Sequence, residues 1–187
     1  MNFKKIALLT LTCLLLALTG CGAKEDPSAA GEETPGKSGL FTAMETVDLD
    51  GNTVDSSVFA DKTLTLVNVW NLGCTPCVQE VPHLDKLNDD LAEQGVAVIG
   101  LYYNFGQELA EEERTAIQDL FAESGADYTQ ILASEAMMEF DELGQIQAFP
   151  TTFFVDSEGS IVDTVMGSND YDGWKTKIDK VLADLEG

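Results

Sequence analysis

Read for the spacing of its apolar positions, the chain alternates between segments with a period of two and segments with a period near 3.6. Residues 63–70 (TLTLVNVW) are β-branched and apolar on both faces, the pattern of a central strand in a covered sheet. Residues 76–93 place Val78, Val81, Leu84, Leu87 and Leu91 at helical spacing, and Gly95 separates them from a second apolar run at 96–102. Strand, helix and strand in that order predict a parallel crossover. A second helix is expected over residues 108–123, whose strongly acidic first turn suits the positive end of a helix dipole, and a short one over 137–143.

The two ends of this core carry hairpin signals. Residues 47–54 alternate around Asp50-Gly51, and residues 152–155 and 161–166 flank the turn sequence Asp156-Ser157-Glu158-Gly159. Residues 171–185 close the pattern as a helix with Trp174, Ile178, Val181, Leu182 and Leu185 on its inner side. Alternating strands and helices with an antiparallel end predict an α/β sandwich around a mixed sheet. No internal repeat is visible.

Before residue 40 the pattern is of another kind. MNFKK precedes thirteen uncharged residues, 6–18, in the layout of a secretory signal and too short for a confident membrane span. The segment ends in Leu18-Thr19-Gly20-Cys21, which resembles the lipobox of bacterial lipoproteins. That resemblance implies a signal peptide at 1–20, lipidation of Cys21, and anchoring to the outer face of the cell membrane through acyl chains. Residues 21–39 are rich in Gly, Ala, Glu, Pro and Ser and lack a large apolar residue after Cys21, so they are expected to form a flexible acidic tether with a reach on the order of 20–25 Å. One folded domain, 40–187, is expected to follow.

Charge and cysteine usage narrow the chemistry. The 187 residues carry a formal charge of −23, and loss of residues 1–20 removes Lys4 and Lys5 but no acid, giving −25. Such a surface repels nucleic acid and anionic headgroups. Of four cysteines, Cys13 lies in the signal and Cys21 at the lipobox, which leaves Cys74 and Cys77 for the folded part. A disulfide between residues three apart closes a very small loop and stabilises little, so the pair is better explained by reactivity. At a strand-to-helix junction, Cys74 falls at the helix cap, where unpaired N–H groups favour a thiolate, and Cys77 one turn further on the same side. Pro76 falls near the first helical position, where its missing N–H costs nothing. Cys74 is then the expected attacking sulfur and Cys77 the resolving one. Glu80, three residues after Cys77, shares its helix face.

VNVWNLGCTPC, the following CVQEVP with Glu80 and Pro82, and FPTTFFVD at 149–156 together resemble the thioredoxin superfamily, within it the TlpA/ResA branch of membrane-anchored disulfide reductases. The resemblance runs from about Leu40 to the C-terminus. It implies a thioredoxin-like three-layer sandwich with a mixed central sheet flanked by helices, an N-terminal hairpin and a central insertion. It implies that Glu80 sits beneath the cysteine pair and moves its protons, with Asn68 where thioredoxins proper keep an aspartate. It also implies that Pro150 is cis and faces the pair, that Phe149 and Thr151 flank a backbone edge for an extended substrate, and that Gly73, Thr75 and Pro76 form the contact surface beside the sulfur. Gly73 departs from the tryptophan usual in the branch, and Phe149 is bulky for its place. The implied activity is thiol-disulfide oxidoreduction without a cofactor. The implied partners are a membrane thiol carrier of CcdA/DsbD type as electron donor, and an apocytochrome c or a secreted methionine sulfoxide reductase as client.

Two other chemistries fit less well. Copper delivery needs a histidine beside the two cysteines, and the only one, His83, lies six residues past Cys77 on the same expected helix; a structural zinc needs four ligands. A peroxiredoxin-type peroxidase places threonine and proline upstream of its reactive cysteine, whereas Thr75 and Pro76 lie between the two cysteines here. No metal site is expected. Tyr102, Tyr103, Phe153 and Phe154 are read as core or sheet-edge residues.

Overall fold

The structure, a computed structural model, describes residues 39–105 and 107–187. The expected signal peptide, the tether apart from Gly39, and both Cys13 and Cys21 lie outside the described residues. Gly39 opens a short helix, α1 (Gly39–Thr42), whose Leu40 and Phe41 are fully buried. The predicted hairpin follows as β1 (Glu45–Val47) and β2 (Thr53–Asp55), with Thr46 opposite Val54. Its loop is organised by Asp48, whose carboxylate accepts from the backbone N–H of Asp50 and Asn52 and from the Asn52 side chain.

The central sheet is built from β3 (Leu64–Trp70), β4 (Val96–Tyr102), β5 (Gln130–Leu132), β6 (Thr151–Val155) and β7 (Ile161–Met166), in the spatial order β5-β4-β3-β6-β7. Strands β3, β4 and β5 are parallel, and β6 and β7 add the antiparallel end. Between them run α2 (Thr75–Leu91), α3 (Glu111–Ser124), α4 (Asp141–Gly144) and α5 (Tyr171–Glu186). This is the thioredoxin-like mixed sheet that the sequence predicts, with α3 and β5 as the central insertion.

Period two along β3 sorts its side chains between two cores. Leu64, Leu66 and Trp70 point toward α2, α3 and α5, where Leu84, Leu87, Ile117, Trp174 and Ile178 meet them. Val67 and Val69 point to the other side, toward Phe41, Phe59, Met137 and Leu143. Asn68 belongs to the first set by the same alternation, so of the two polar residues of this fully buried strand, Thr65 and Asn68, it is the one aimed at the α2 side. Gly100 of β4 lies directly opposite Gln130, and a β-carbon there would come within 2.1 Å of the Gln130 side chain. The missing side chain lets Gln130 Oε1 accept from the buried Trp70 indole at 2.9 Å.

Several elements differ from the sequence expectation. The helix expected from residue 108 begins at Glu111, with Ala110 in extended conformation before it. The helix expected over 137–143 is broken at Phe140 (φ −84°, ψ 136°) into a 3₁₀ turn and α4. β5 was not foreseen; it is three residues long, and the hairpin covers it through an Asp48–Ile131 bridge and a hydrogen bond from the Thr46 hydroxyl to Leu132 O. Leu185, expected on the inner side of α5, lies in the last turn of that helix and is 40% exposed. Tyr102, Tyr103, Phe153 and Phe154 are buried as read. Among the described residues no helix is long and apolar enough to cross a membrane.

Candidate active site

The site forms where β3 hands the chain to α2. Asn71, Leu72 and Gly73 make the turn, closed by a hydrogen bond from Cys74 N–H to Asn71 O at 3.1 Å. Cys74 is the N-cap of α2 in extended conformation (φ −96°, ψ 94°), and its sulfur accepts from the Cys77 N–H at 3.3 Å. Pro76 lies in the first turn and is exposed, as are Gly73 and Thr75. Cys74 and Cys77 are joined in a disulfide (S–S 2.01 Å, Cα–Cα 5.3 Å). Cys74 is half-buried and Cys77 almost fully covered, so the two sulfurs differ in access. A thiolate on Cys74 would keep the N–H contact and the favourable end of the helix dipole.

Glu80 lies one turn beyond Cys77 and is 1% exposed. Its Oε1 accepts from Asn68 Nδ2 at 2.8 Å, and its Oε2 accepts from the Asn169 N–H at 3.1 Å and the Trp174 indole at 3.2 Å. Asn68 also donates to the Thr152 hydroxyl at 3.0 Å, its direct cross-strand partner on β6. Burial pushes the Glu80 carboxyl up to about 7, against the three N–H donors, which favour the charged form. Such a group is half protonated at neutral pH and can take or give a proton without large cost. Sequence reasoning reached Asn68 and Glu80 but missed Trp174, Asn169 and Thr152 as partners. Trp174 carried only the signal of a core residue, and the other two carried none.

Phe149–Pro150 is a cis peptide. Thr151 pairs with Val69, which sets Pro150 at the start of β6 beside the end of β3. Thr151 itself is interior: its backbone is paired on both sides, and its hydroxyl donates to Ala148 O at 2.9 Å. It therefore holds the loop, with Ala148 exposed and Phe149 half-buried just upstream. Phe149 is half-buried and packs its ring on Tyr103, centroids 5.2 Å apart. His83 sits partly exposed on α2; among the described residues no three His, Cys, Asp or Glu side chains converge as metal ligands.

A thioredoxin-like sheet with a CxxC disulfide capping the helix that follows its central strand defines a thiol-disulfide oxidoreductase. The comparisons with known proteins agree. The family described as Redoxin matches residues 29–182, and the chain belongs to it, as an oxidoreductase of the DsbE/ResA type. The thiol:disulfide interchange protein DsbE of Yersinia pestis is 30% identical over 154 residues, covering 82% of this chain and 76% of the relative. The thiol-disulfide oxidoreductase ResA of Bacillus thuringiensis subsp. konkukian is 24% identical over 166 residues, covering 87% and 86%. A thioredoxin-family thiol:disulfide interchange protein of Chlorobium tepidum superposes with a TM-score of 0.62 at 20% identity, over 75% of this chain and 93% of that one, a likeness of fold.

Proposed function

We propose that the protein is a lipid-anchored reductase of protein disulfides working outside the cytoplasmic membrane. The observation that carries the exchange chemistry is the asymmetry of the pair: a half-buried, helix-capping Cys74 above a covered Cys77 with the buried Glu80 carboxyl one turn on; the resemblance to the TlpA/ResA branch supports the direction of reduction. In the reduced form the Cys74 thiolate attacks one sulfur of a client disulfide. A mixed disulfide forms, and the other client sulfur leaves as a thiolate that takes up a proton. Cys77, giving its proton to Glu80, then attacks the Cys74 sulfur and expels the second client thiol, protonated from Glu80. Two electrons and two protons have passed to the client, and the disulfide seen here is the product on the enzyme.

The lipobox-like Leu18-Thr19-Gly20-Cys21, the signal-like layout of residues 1–20 and the tether composition support the location. Electrons returning the pair to the dithiol would come from a membrane thiol carrier of CcdA/DsbD type. Clients would be apocytochrome c or a secreted methionine sulfoxide reductase. The test is to express the full chain with Cys77→Ser in its own cells and identify what becomes bonded to Cys74. Recovery of one of these extracytoplasmic clients from the membrane fraction, with release of the protein from that fraction by Cys21→Ser, supports the reading. Adducts confined to cytoplasmic proteins, or none, would overturn it.

A further inference from the structure

β7 ends at Met166, and residues 167–170 carry the chain from beside Pro150 to the start of α5. Both ends of this strap are tied. Gly167 donates its N–H to Pro150 O at 2.8 Å, and Asp170 caps α5, its carboxylate accepting from the Gly173 N–H at 2.8 Å. Between them Asn169 donates its backbone N–H to Glu80 Oε2 at 3.1 Å and its side-chain amide to Gly167 O at 3.4 Å. The strap therefore touches the buried carboxyl on one side and the proline loop on the other. Its bend depends on glycine: Gly167 has φ 92°, and a β-carbon there would meet nothing within 4 Å, so the backbone and not the space requires it.

The Glu80 carboxyl has polar neighbours of one kind. Asn68 Nδ2, the Asn169 N–H and the Trp174 indole are all donors. A carboxylate accepts from all of them, whereas a protonated carboxyl carries an O–H that needs an acceptor, and none of these N–H groups supplies one. Taking a proton therefore sets one donor against the new O–H, and the donor held least firmly gives way. Asn68 is held a second time by the Thr152 hydroxyl, and Trp174 is fully buried on a regular helix. Asn169 is half-buried on an irregular segment, with Ser168 exposed beside it. Among the described residues no charged side chain acts on the carboxyl. Along α2 the Cys77 sulfur lies one turn away, and the Tyr128 phenol, just before β5, is kept neutral by its own burial.

We infer that residues 167–169 form a latch set by the proton on Glu80: closed on the carboxylate, released when the carboxyl is protonated, and loosening the Pro150 loop in step through the Gly167 N–H. The latch rests on the oxidoreductase reading above, in which Glu80 carries the proton of the resolution step, and extends that role to the client side of the site. Glu80 gains the Cys77 proton as that sulfur attacks, and passes it to the departing client thiolate. Release of the strap therefore falls while the mixed disulfide is being resolved, and the strap closes again once the proton has left.

The test is amide hydrogen exchange, read by NMR on the oxidised full chain and corrected for the intrinsic pH dependence of exchange. Gly167 is the informative amide, because its N–H is bonded to Pro150 O and not to Glu80. In the wild type its protection is expected to be about tenfold greater at pH 8 than at pH 5.5, the scale of one lost hydrogen bond to a charged group. Glu80→Gln, whose side chain carries N–H donors in place of the charge, is expected to show the low value at both. Gly167→Ala, strained at positive φ, is expected to lower the protection of the Asn169 amide at pH 8 about fivefold. Equal protection of Gly167 at both pH values, while the Asn169 amide shift still titrates, overturns the latch alone; the carboxyl is then accommodated elsewhere, as by turning over of the Asn68 amide. Unchanged Asn169 protection in Gly167→Ala also overturns it. No titration of either amide removes the proton-carrier role and the latch together. Failure of the reduced wild-type chain to exchange with glutathione disulfide removes the oxidoreductase reading itself.

Discussion

Behind the Cys74–Cys77 disulfide the chain gathers Glu80, Asn68, Thr152, Trp174 and the Asn169 N–H into a closed set in which every oxygen of the carboxyl has a donor. In front of it, Gly73, Thr75 and Pro76 are exposed and Cys74 is half-buried. The back is dry and polar, and the front is open to water. Each has a chemical use. A carboxyl kept from water holds its proton near neutrality, and an exposed turn leaves the Cys74 sulfur within reach of a client.

The comparison breaks most sharply at Glu80. Replacing it by Gln is expected to slow the resolution step, attack of Cys77 on Cys74, by about 10²-fold, the scale of a lost proton-transfer group, and to remove the inflection near pH 7 from its rate profile. Stopped-flow release of the second client thiol reads both. The same variant tests the burial energetically. Because the folded value lies above the ordinary 4.5, the protonated form is favoured by folding. The stability that Glu80 contributes is therefore full below about pH 4.5 and lost as pH rises through about 7. Relative to Glu80→Gln, the wild-type chain should lose on the order of 3 kcal/mol between pH 4 and pH 8 in denaturant titrations of the oxidised form. An equal difference at both ends would mean that the carboxyl is not held neutral.

Smaller changes sharpen the contrast. Trp174→Phe removes one donor to Oε2 and is expected to cost about 1–2 kcal/mol and to move the kinetic inflection above 7, since the lost N–H favoured the charged form. Gly73→Trp, on the wet side, should change stability by less than about 0.5 kcal/mol, because the position is exposed and its backbone is not in the left-handed region. The asymmetry between these two, measured in the same titration, separates the back of the site from its front.

The front and back were unequally legible in the sequence. The inner face of α2 follows from its period, and β4 from an unbroken apolar run after Gly95, because their side chains bury where local geometry sends them. Asn68 and Glu80 were found through their positions around the CxxC. Their partners Asn169 and Trp174 lie 89 and 94 residues from Glu80, and only the packing of α5 across α2 brings them in. β5 is too short to show a period, and its burial depends on the hairpin that covers it. Gly167 gave no signal, since an isolated glycine after a strand reads as an ordinary turn residue until its φ and its bond to Pro150 are known.

The unequal roles of the two sulfurs are tested most directly by replacing Cys13 and Cys21 with Ser in the full chain, removing Cys74 or Cys77 in turn, exposing the resulting single-cysteine variants to glutathione disulfide and weighing the product. Cys77→Ser should react quickly at Cys74 and stop as a stable adduct with one glutathione, while Cys74→Ser should stay largely unmodified, its remaining sulfur covered. Equal modification of both variants, or preferential modification of Cys77, would contradict the assignment of Cys74 as the attacking sulfur and Cys77 as the resolving one.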